Sequence, residues 1–274
     1  MKSISLGQYY PANSPIHRLD ARMKVILAIL YIVCTFLCQN LSAFVALVLS
    51  VFLLIIISRI PIRTVLRGIR PILFVMIFTA VLNLFFTKGS TLLVEFWIFK
   101  IYMEGIYNAI FMVVRIVVLI MATSLFLTYT TTPIELTDAL ESLLSPLRVI
   151  RLPVHEFAMM MTIALRFIPT LLDETDKIMK AQQARGADFD TGNLVQKAKA
   201  LIPILVPLFI SAFRRAEELA MAMEARCYHG DERRTRMNVM QMKPSDYRAA
   251  GIMAVYMVVL IGIHIASSFV PFII

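Results

Sequence analysis

The chain has 274 residues, of which 59% are hydrophobic, and its mean hydropathy is +0.78. A soluble domain averages about half apolar residues, so this excess, which falls in blocks, indicates an integral membrane protein rather than a soluble one. The formal charge is +9; residues 1–127 hold 11 Lys and Arg against 3 Asp and Glu, whereas residues 128–248 hold 16 against 15.

Four membrane spans are predicted in the first half of the chain. The first apolar block, 25–57, would form a helix about 50 Å long, too long for a hydrocarbon core of about 30 Å, so two short spans joined by a turn at 39–42 fit better. Between the third and fourth spans, residues 91–105 are predicted to form an outer hairpin or interfacial segment. The further spans are expected at 72–86, 106–127 and, near the C-terminus, 249–270.

Basic residues fix the expected orientation. They precede the first span and fill the loop between the second and third, at Lys2, Arg18, Arg22, Lys24, Arg59, Arg63, Arg67 and Arg70. The positive-inside rule then places the N-terminus in the cytoplasm and the C-terminus outside. We therefore expect an all-α membrane protein with four transmembrane helices in 1–128, a cytoplasmic domain in 129–248 and a fifth transmembrane helix in 249–274.

The cytoplasmic segment is predicted to contain about three helices, two of them long. Thr132, Pro133 and Glu135 are the N-cap, first helical residue and capping-box partner expected for a short amphipathic helix. The two long helices begin apolar and become charged, and from Pro169 and Pro207 to their ends they would extend about 24 and 28 Å, carrying both tips away from the membrane. Each ends with Ala-Arg and a small residue, at Ala184, Arg185, Gly186 and at Ala225, Arg226, Cys227.

Motifs for catalysis are weak or incomplete. The sequence has no Gly-rich phosphate loop, and His155-Glu156 lacks a second zinc ligand because position 159 is Met. Asp173 and Asp176 resemble one aspartate pair of membrane lipid or prenyl transferases, which keeps that enzyme class as an alternative. A self-sufficient secondary transporter is a third hypothesis, although no inverted repeat is evident. No cofactor, metal or nucleic acid is expected.

Arg115 lies in the middle of the predicted fourth span. A central charge costs at least about 2.5–3.5 kcal/mol on insertion scales, so its side chain should face the bundle interior or a partner. A substrate or ion path and a structural hydrogen-bonding role are both open, and the structural role is preferred because no acid lies deep in a span. Cys34 and Cys38, one turn apart, are expected to pack between helices.

An ordered set of segments resembles the transmembrane T component (EcfT family) of energy-coupling factor, or ECF, transporters. These segments are YYPANSPIHRLDARMK, TPIELTDALESLLSPL, ALRFIPTLLDETDKIMKAQQARG and MEARCYHG. The resemblance implies a non-catalytic subunit of a prokaryotic cell-membrane transporter for vitamins or trace metal ions. Its implied partners are two ABC-type ATPases, which hydrolyse ATP, and a membrane S component, which binds the substrate.

Carried onto this chain, the resemblance implies that the two Ala-Arg-small triplets dock into the ATPases. Cys227 departs from the Ala-Arg-Gly pattern but keeps a small residue. A further hypothesis assigns the apolar halves of the long helices to the S component, because Met side chains form deformable contact surfaces. The residues in this hypothesis are Met159, Met160, Met161, Ile163, Phe167, Leu205 and Phe209; internal packing is the alternative.

Overall fold

The computed structural model describes residues 9–38, 40–87, 89, 91–96, 99–187, 189, 193–228, 230 and 240–269. The fold is helical apart from one short antiparallel hairpin, which confirms the predicted all-α class. The helices are α1 Ala21–Leu37, α2 Leu41–Ser58, α3 Ile62–Ile69, α4 Leu73–Phe86, α5 Met103–Thr123, α6 Pro133–Leu144, α7 Val154–Ala184, α8 Leu194–Ala225 and α9 Pro244–Phe269. The strands are β1 Leu92–Phe96 and β2 Phe99–Tyr102.

Five stretches of the described chain are long and apolar enough to cross a membrane. They are Leu41–Ser58, Ile62–Phe86, Met103–Thr128, Val195–Ala225 and Pro244–Ala266. This set differs from the predicted one in two ways. It includes most of α8, which the sequence analysis assigned to the cytoplasmic segment, and it omits α1, whose 17 residues are the shortest length that spans a bilayer.

Several local predictions are confirmed. The apolar block breaks between Leu37 and Leu41, and 91–105 contains the hairpin, although its tip, which includes Trp97, lies outside the described residues. The last helix begins at Pro244, five residues before the predicted span. The reason is that its first turn is polar, so hydropathy does not detect it although the backbone is already helical.

The chain divides into two compact units, Met1–Ala139 with Val239–Ile274 and Leu140–Asn238. We call them the bundle unit and the long-helix unit. In the bundle unit, α1, α2, α5 and α9 pack around a buried core. Ala28, Ala43 and Ala122 are almost completely buried there. Small residues let membrane helices approach closely, so these alanines set the spacing of the bundle.

A buried lysine ties the start of α1 to the segment after α5. Lys24 is 2% exposed, and its Nζ donates to the carbonyl oxygens of Thr130 at 2.6 Å and His17 at 3.2 Å. The two carbonyls satisfy a cation that would otherwise be expensive to bury. The segment that precedes α1 is therefore fixed to the end of the α5 helix, which finishes in a π-helical turn at Ser124–Thr128.

The carboxylate of Asp246 holds the start of α9 against the same region. Asp246 is fully buried, and its two oxygens accept the backbone N–H groups of Asp20 at 3.0 Å and Lys243 at 2.7 Å. Asp20 in turn caps α1 and forms an ion pair with Arg22 at 3.0 Å. Burial alone raises the pKa of Asp20, but hydrogen bonds from Arg22 outweigh that effect and hold it below the ordinary value.

Arg115 on α5 contacts the turn between α1 and α2. Its Nη2 donates to the carbonyl oxygen of Cys38 at 2.9 Å, and its guanidinium carbon lies 5.3 Å from the centre of the Phe44 ring. Cys38 caps α1, so its carbonyl has no partner within the helix. These contacts support a structural role for Arg115. Cys34 and Cys38 are both buried between helices.

Candidate functional site

The first Ala-Arg-small triplet forms the end of α7. Ala184 is the last helical residue and Arg185 is the C-cap. Gly186 has a φ of +89°, which confirms the left-handed position predicted from the sequence. The N–H of Gly186 donates to Gln183 at 2.9 Å and that of Ala187 to Gln182 at 3.0 Å. These two bonds make a Schellman motif, which satisfies carbonyls at the helix end.

The second triplet repeats this geometry at the end of α8. Arg226 is the C-cap, and Cys227 has a φ of +55°. The N–H of Cys227 donates to Glu224 at 2.8 Å and that of Tyr228 to Met223 at 3.1 Å. The two helices therefore end in the same hydrogen-bonded turn, and Cys227 occupies the position that Gly186 occupies in α7. A side chain in this conformation costs roughly 1–2 kcal/mol more than glycine.

Both tips are open to solvent. Ala184, Arg185, Gly186, Ala225, Arg226 and Cys227 are all exposed. Within the residues that the structure describes, neither the Arg185 nor the Arg226 side chain makes a hydrogen bond or ion pair. A Cβ added to Gly186 would meet nothing within 4 Å. Each tip thus presents an available guanidinium, with five donors in a planar fork, flanked by small residues that leave room for a groove.

The two long helices run antiparallel. Glu174 of α7 contacts Ser211 and Arg215 of α8, whereas Gln182, later in α7, donates to Pro203, earlier in α8, at 3.4 Å. The sequence predicted tips carried away from the membrane but did not give the relative direction of the two helices. Sequence alone shows where each helix is apolar, but the relative direction depends on which faces meet.

The tips consequently lie at opposite ends of the helix pair. From Glu174 to Arg185 α7 extends about 16 Å, and from Ser211 to Arg226 α8 extends about 22 Å in the other direction, so the tips are separated by up to about 38 Å along the pair. An arrangement of this kind can offer two equivalent helix ends to two separate surfaces.

Glu174 joins the helices where they meet. Its Oε2 accepts from Arg215 Nη2 at 3.0 Å, and its Oε1 accepts a short hydrogen bond from Ser211. The sequence did not reveal this cluster because nothing in its pattern pairs residues 37 to 41 positions apart. An apolar cavity of about 260 Å³ lies beside it, lined by residues that include Ile163, Phe167 and Leu219.

The residues assigned to an S component fall into two groups. Met160, Met161, Leu205 and Phe209 are exposed by 45 to 60%. Met159, Ile163 and Phe167 are half-buried, and the last two line the cavity between α7 and α8. Further large apolar side chains extend the exposed surface along the helices, at Phe157, Val195, Leu201, Ile202, Val206, Ile210 and Phe213.

The transferase alternative receives no support from the geometry. Asp173 and Asp176 both lie on α7, where Asp173 is exposed and Asp176 is half-buried. In the part of the chain described here, no three His, Cys, Asp or Glu side chains are grouped closely enough to hold a metal ion. His155, which begins the incomplete zinc-protease pattern, is hydrogen-bonded through Nδ1 to a carboxylate oxygen of Glu141 at 2.9 Å.

Fold and site together define a class: a multi-pass helical membrane protein that presents two long, antiparallel helices with matching basic ends. Comparison with known proteins gives the family. Residues 12–237 match the model of the CbiQ family, described as cobalt transport protein. The chain also aligns closely with curated proteins named energy-coupling factor transporter transmembrane protein EcfT.

The relatives match over almost their whole length. The protein of Ruminiclostridium cellulolyticum is 52% identical over 94% of this chain and 96% of its own length. The Clostridium kluyveri protein is 53% identical over 91% and 93%, and that of Bacillus subtilis is 48% identical over 86% and 89%. The chain therefore belongs to the EcfT family, the transmembrane T components of energy-coupling factor transporters.

Proposed function

We propose that this T component transmits ATP-driven movement through α7 and α8, with each Arg tip docked into one of two ABC-type ATPases. The main observation in support is that two exposed helix ends share one backbone geometry and lie at opposite ends of one helix pair. A guanidinium can bind carboxylates or carbonyls through several hydrogen bonds, and a cation at a helix C-terminus is favoured by the helix dipole. Hydrolysis belongs to the partners, and this chain is not catalytic.

The exposed apolar surface of the long-helix unit receives the S component. Leu205 and Phe209 belong to a stretch of α8 that is as apolar as a membrane span, so this surface belongs at or in the bilayer rather than in water. Adaptable Met side chains at 159–161 suit a surface that contacts another membrane protein. The N-terminus lies in the cytoplasm, as the basic residues around the first spans indicate.

Closure of the ATPases would move the two tips, and the helix pair would pass this movement to the S component. The contacts of Glu174 support the proposal because they join α7 to α8 where the helices meet. Displacement of one helix would therefore displace the other. Pro169, Pro203 and Pro207 lie inside these helices. Each proline removes a backbone hydrogen bond, which gives the pair places where it can bend.

Co-purification with the tagged full chain tests the proposal. The variant R185A/R226A should lose the ATPases but keep the S component, because truncating one anchoring Arg often costs 2 kcal/mol or more, about thirtyfold in affinity. Phe209→Glu should lose the S component but keep the ATPases. Arg214→Ala, which removes an exposed Arg within α8, is the matched control and should keep both. Normal ATPase recovery with R185A/R226A would contradict the docking model.

A further inference from the structure

A large apolar cavity opens in the bundle unit. It measures about 570 Å³, within the range of about 300–1,000 Å³ found for ligand sites. Its walls come from the segment before α1, from α1 and α2, and from the first half of α9. They include Ile16, Leu27, Tyr31, Leu54, Met253 and Tyr256.

The described residues that line the deep end of the cavity leave no unpaired polar group for a ligand. Ser50 Oγ is hydrogen-bonded to the hydroxyls of Tyr31 at 2.7 Å and Tyr256 at 2.9 Å, and it donates to the carbonyl of Leu47 at 2.8 Å. The two tyrosine rings are stacked, 6.2 Å apart with an 8° angle between their planes. The hydroxyls satisfy one another, so the deep end accepts an apolar group.

The other end of the cavity is basic. Ser245 and Arg248, in the first turns of α9, line it there. Arg248 is exposed, and its side chain makes no hydrogen bond or ion pair with any residue described in the structure. Residues 249–274 contain no Asp, Glu, Lys or Arg. Arg248 therefore lies where the polar start of α9 meets its apolar remainder, at the boundary between water and hydrocarbon.

Other charges near this end leave a positive balance. Arg18, between two lining residues, and Lys243, just before α9, are both exposed. Two acids of this region are already engaged: Asp246 accepts from two backbone N–H groups, and Asp20 pairs with Arg22. A ligand with an anionic head and an apolar tail would therefore match the charge distribution from one end of the cavity to the other.

The length of the cavity along α9 matches that of a lipid acyl chain. From Ser245 to Tyr256 α9 rises about 17 Å, close to half of a hydrocarbon core about 30 Å thick. We propose that the cavity binds one anionic phospholipid, with an acyl chain lying between α2 and α9 and the phosphate at Arg248 and Ser245. The lipid would fill the space between the last helix and the rest of the bundle.

Native mass spectrometry tests this assignment. The full chain, purified with its native partners, is reconstituted in bilayers of equal phosphatidylglycerol and phosphatidylcholine, extracted gently, and its retained lipid identified. The wild type should retain one phosphatidylglycerol. Leu54→Trp, which fills the cavity, should lose it, whereas Leu49→Trp, at an exposed position of α2 outside the cavity, should not.

A second variant tests the charge of Arg248 separately from the volume of the cavity. Arg248→Gln should reduce retention of phosphatidylglycerol about fivefold, the factor that corresponds to about 1 kcal/mol for one basic residue at an anionic surface. Arg63→Gln, which changes an exposed Arg that does not line the cavity, is the control. Equal retention of both lipids, unchanged retention in Leu54→Trp, or capture of a protein segment by a photo-crosslinker at Ile252 would overturn the proposal.

Discussion

The bundle unit and the long-helix unit are both helical, but they differ in how their charged side chains are paired. In the bundle unit, polar groups pair with one another across the chain: Lys24 binds Thr130, Asp246 binds Asp20, and Arg115 binds Cys38. In the long-helix unit, the Arg185 and Arg226 side chains at the helix ends remain exposed. The contrast is that the bundle unit pairs these charged groups within itself, whereas the long-helix unit leaves the charges at its helix ends exposed.

Replacing the buried lysine should break the bundle unit most severely. Lys24→Met leaves two carbonyls without their donor, and an unsatisfied buried polar group costs about 1–3 kcal/mol. We expect a loss of about 2–5 kcal/mol, seen as a lower midpoint of thermal unfolding by circular dichroism in detergent.

The matched control lies in the other unit. Lys177→Met changes an exposed lysine of α7 in the same way and should change the midpoint little. Equal effects of the two substitutions would contradict the distinction between paired charges in the bundle unit and exposed charges in the long-helix unit.

The two helix ends offer a reciprocal test of intermediate size. Gly186→Ala should destabilise the end of α7 by about 1 kcal/mol, because φ is +89° while no atom obstructs the new Cβ. Cys227→Gly should stabilise the end of α8 by a similar amount, because the left-handed position no longer carries a side chain. Hydrogen exchange at the N–H groups of residues 186 and 227 measures both changes, and shifts of the same sign would contradict the shared geometry.

The smallest effect on stability should come from the contact between the long helices. Glu174→Gln keeps the shape but weakens the pairing with Arg215, and a partly exposed ion pair contributes only about 0.2–1 kcal/mol. ATP hydrolysis by the assembled transporter should nevertheless become less well coupled to uptake. Glu218→Gln, at an exposed position of α8, is the control. Unchanged coupling in Glu174→Gln would show that the movement does not pass through this contact.

Local features were predictable because a few neighbouring residues determine them. The capping box between Thr132 and Glu135 is present, with reciprocal bonds of 3.1 and 3.3 Å, and Gly186 is left-handed as expected. Both depend on side-chain chemistry within one turn of the helix.

Features that depend on distant residues were not predictable. The antiparallel direction of α7 and α8 rests on contacts between residues 21 to 41 positions apart, and the tie from Lys24 to Thr130 joins residues 106 positions apart. The left-handed backbone at Cys227 was missed for another reason. Cysteine gives no signal for that conformation, and only its alignment with Gly186 of the first triplet could have indicated it.

Crosslinking from both tips of one chain tests the central claim most directly. Photo-crosslinking residues placed at Gln183 and Glu224, both exposed and next to the triplets, leave the two arginines intact. Irradiation of the assembled transporter should give a product that contains one T component and two ATPase subunits. Products in which both positions join the same ATPase subunit, or no ATPase at all, would contradict the account.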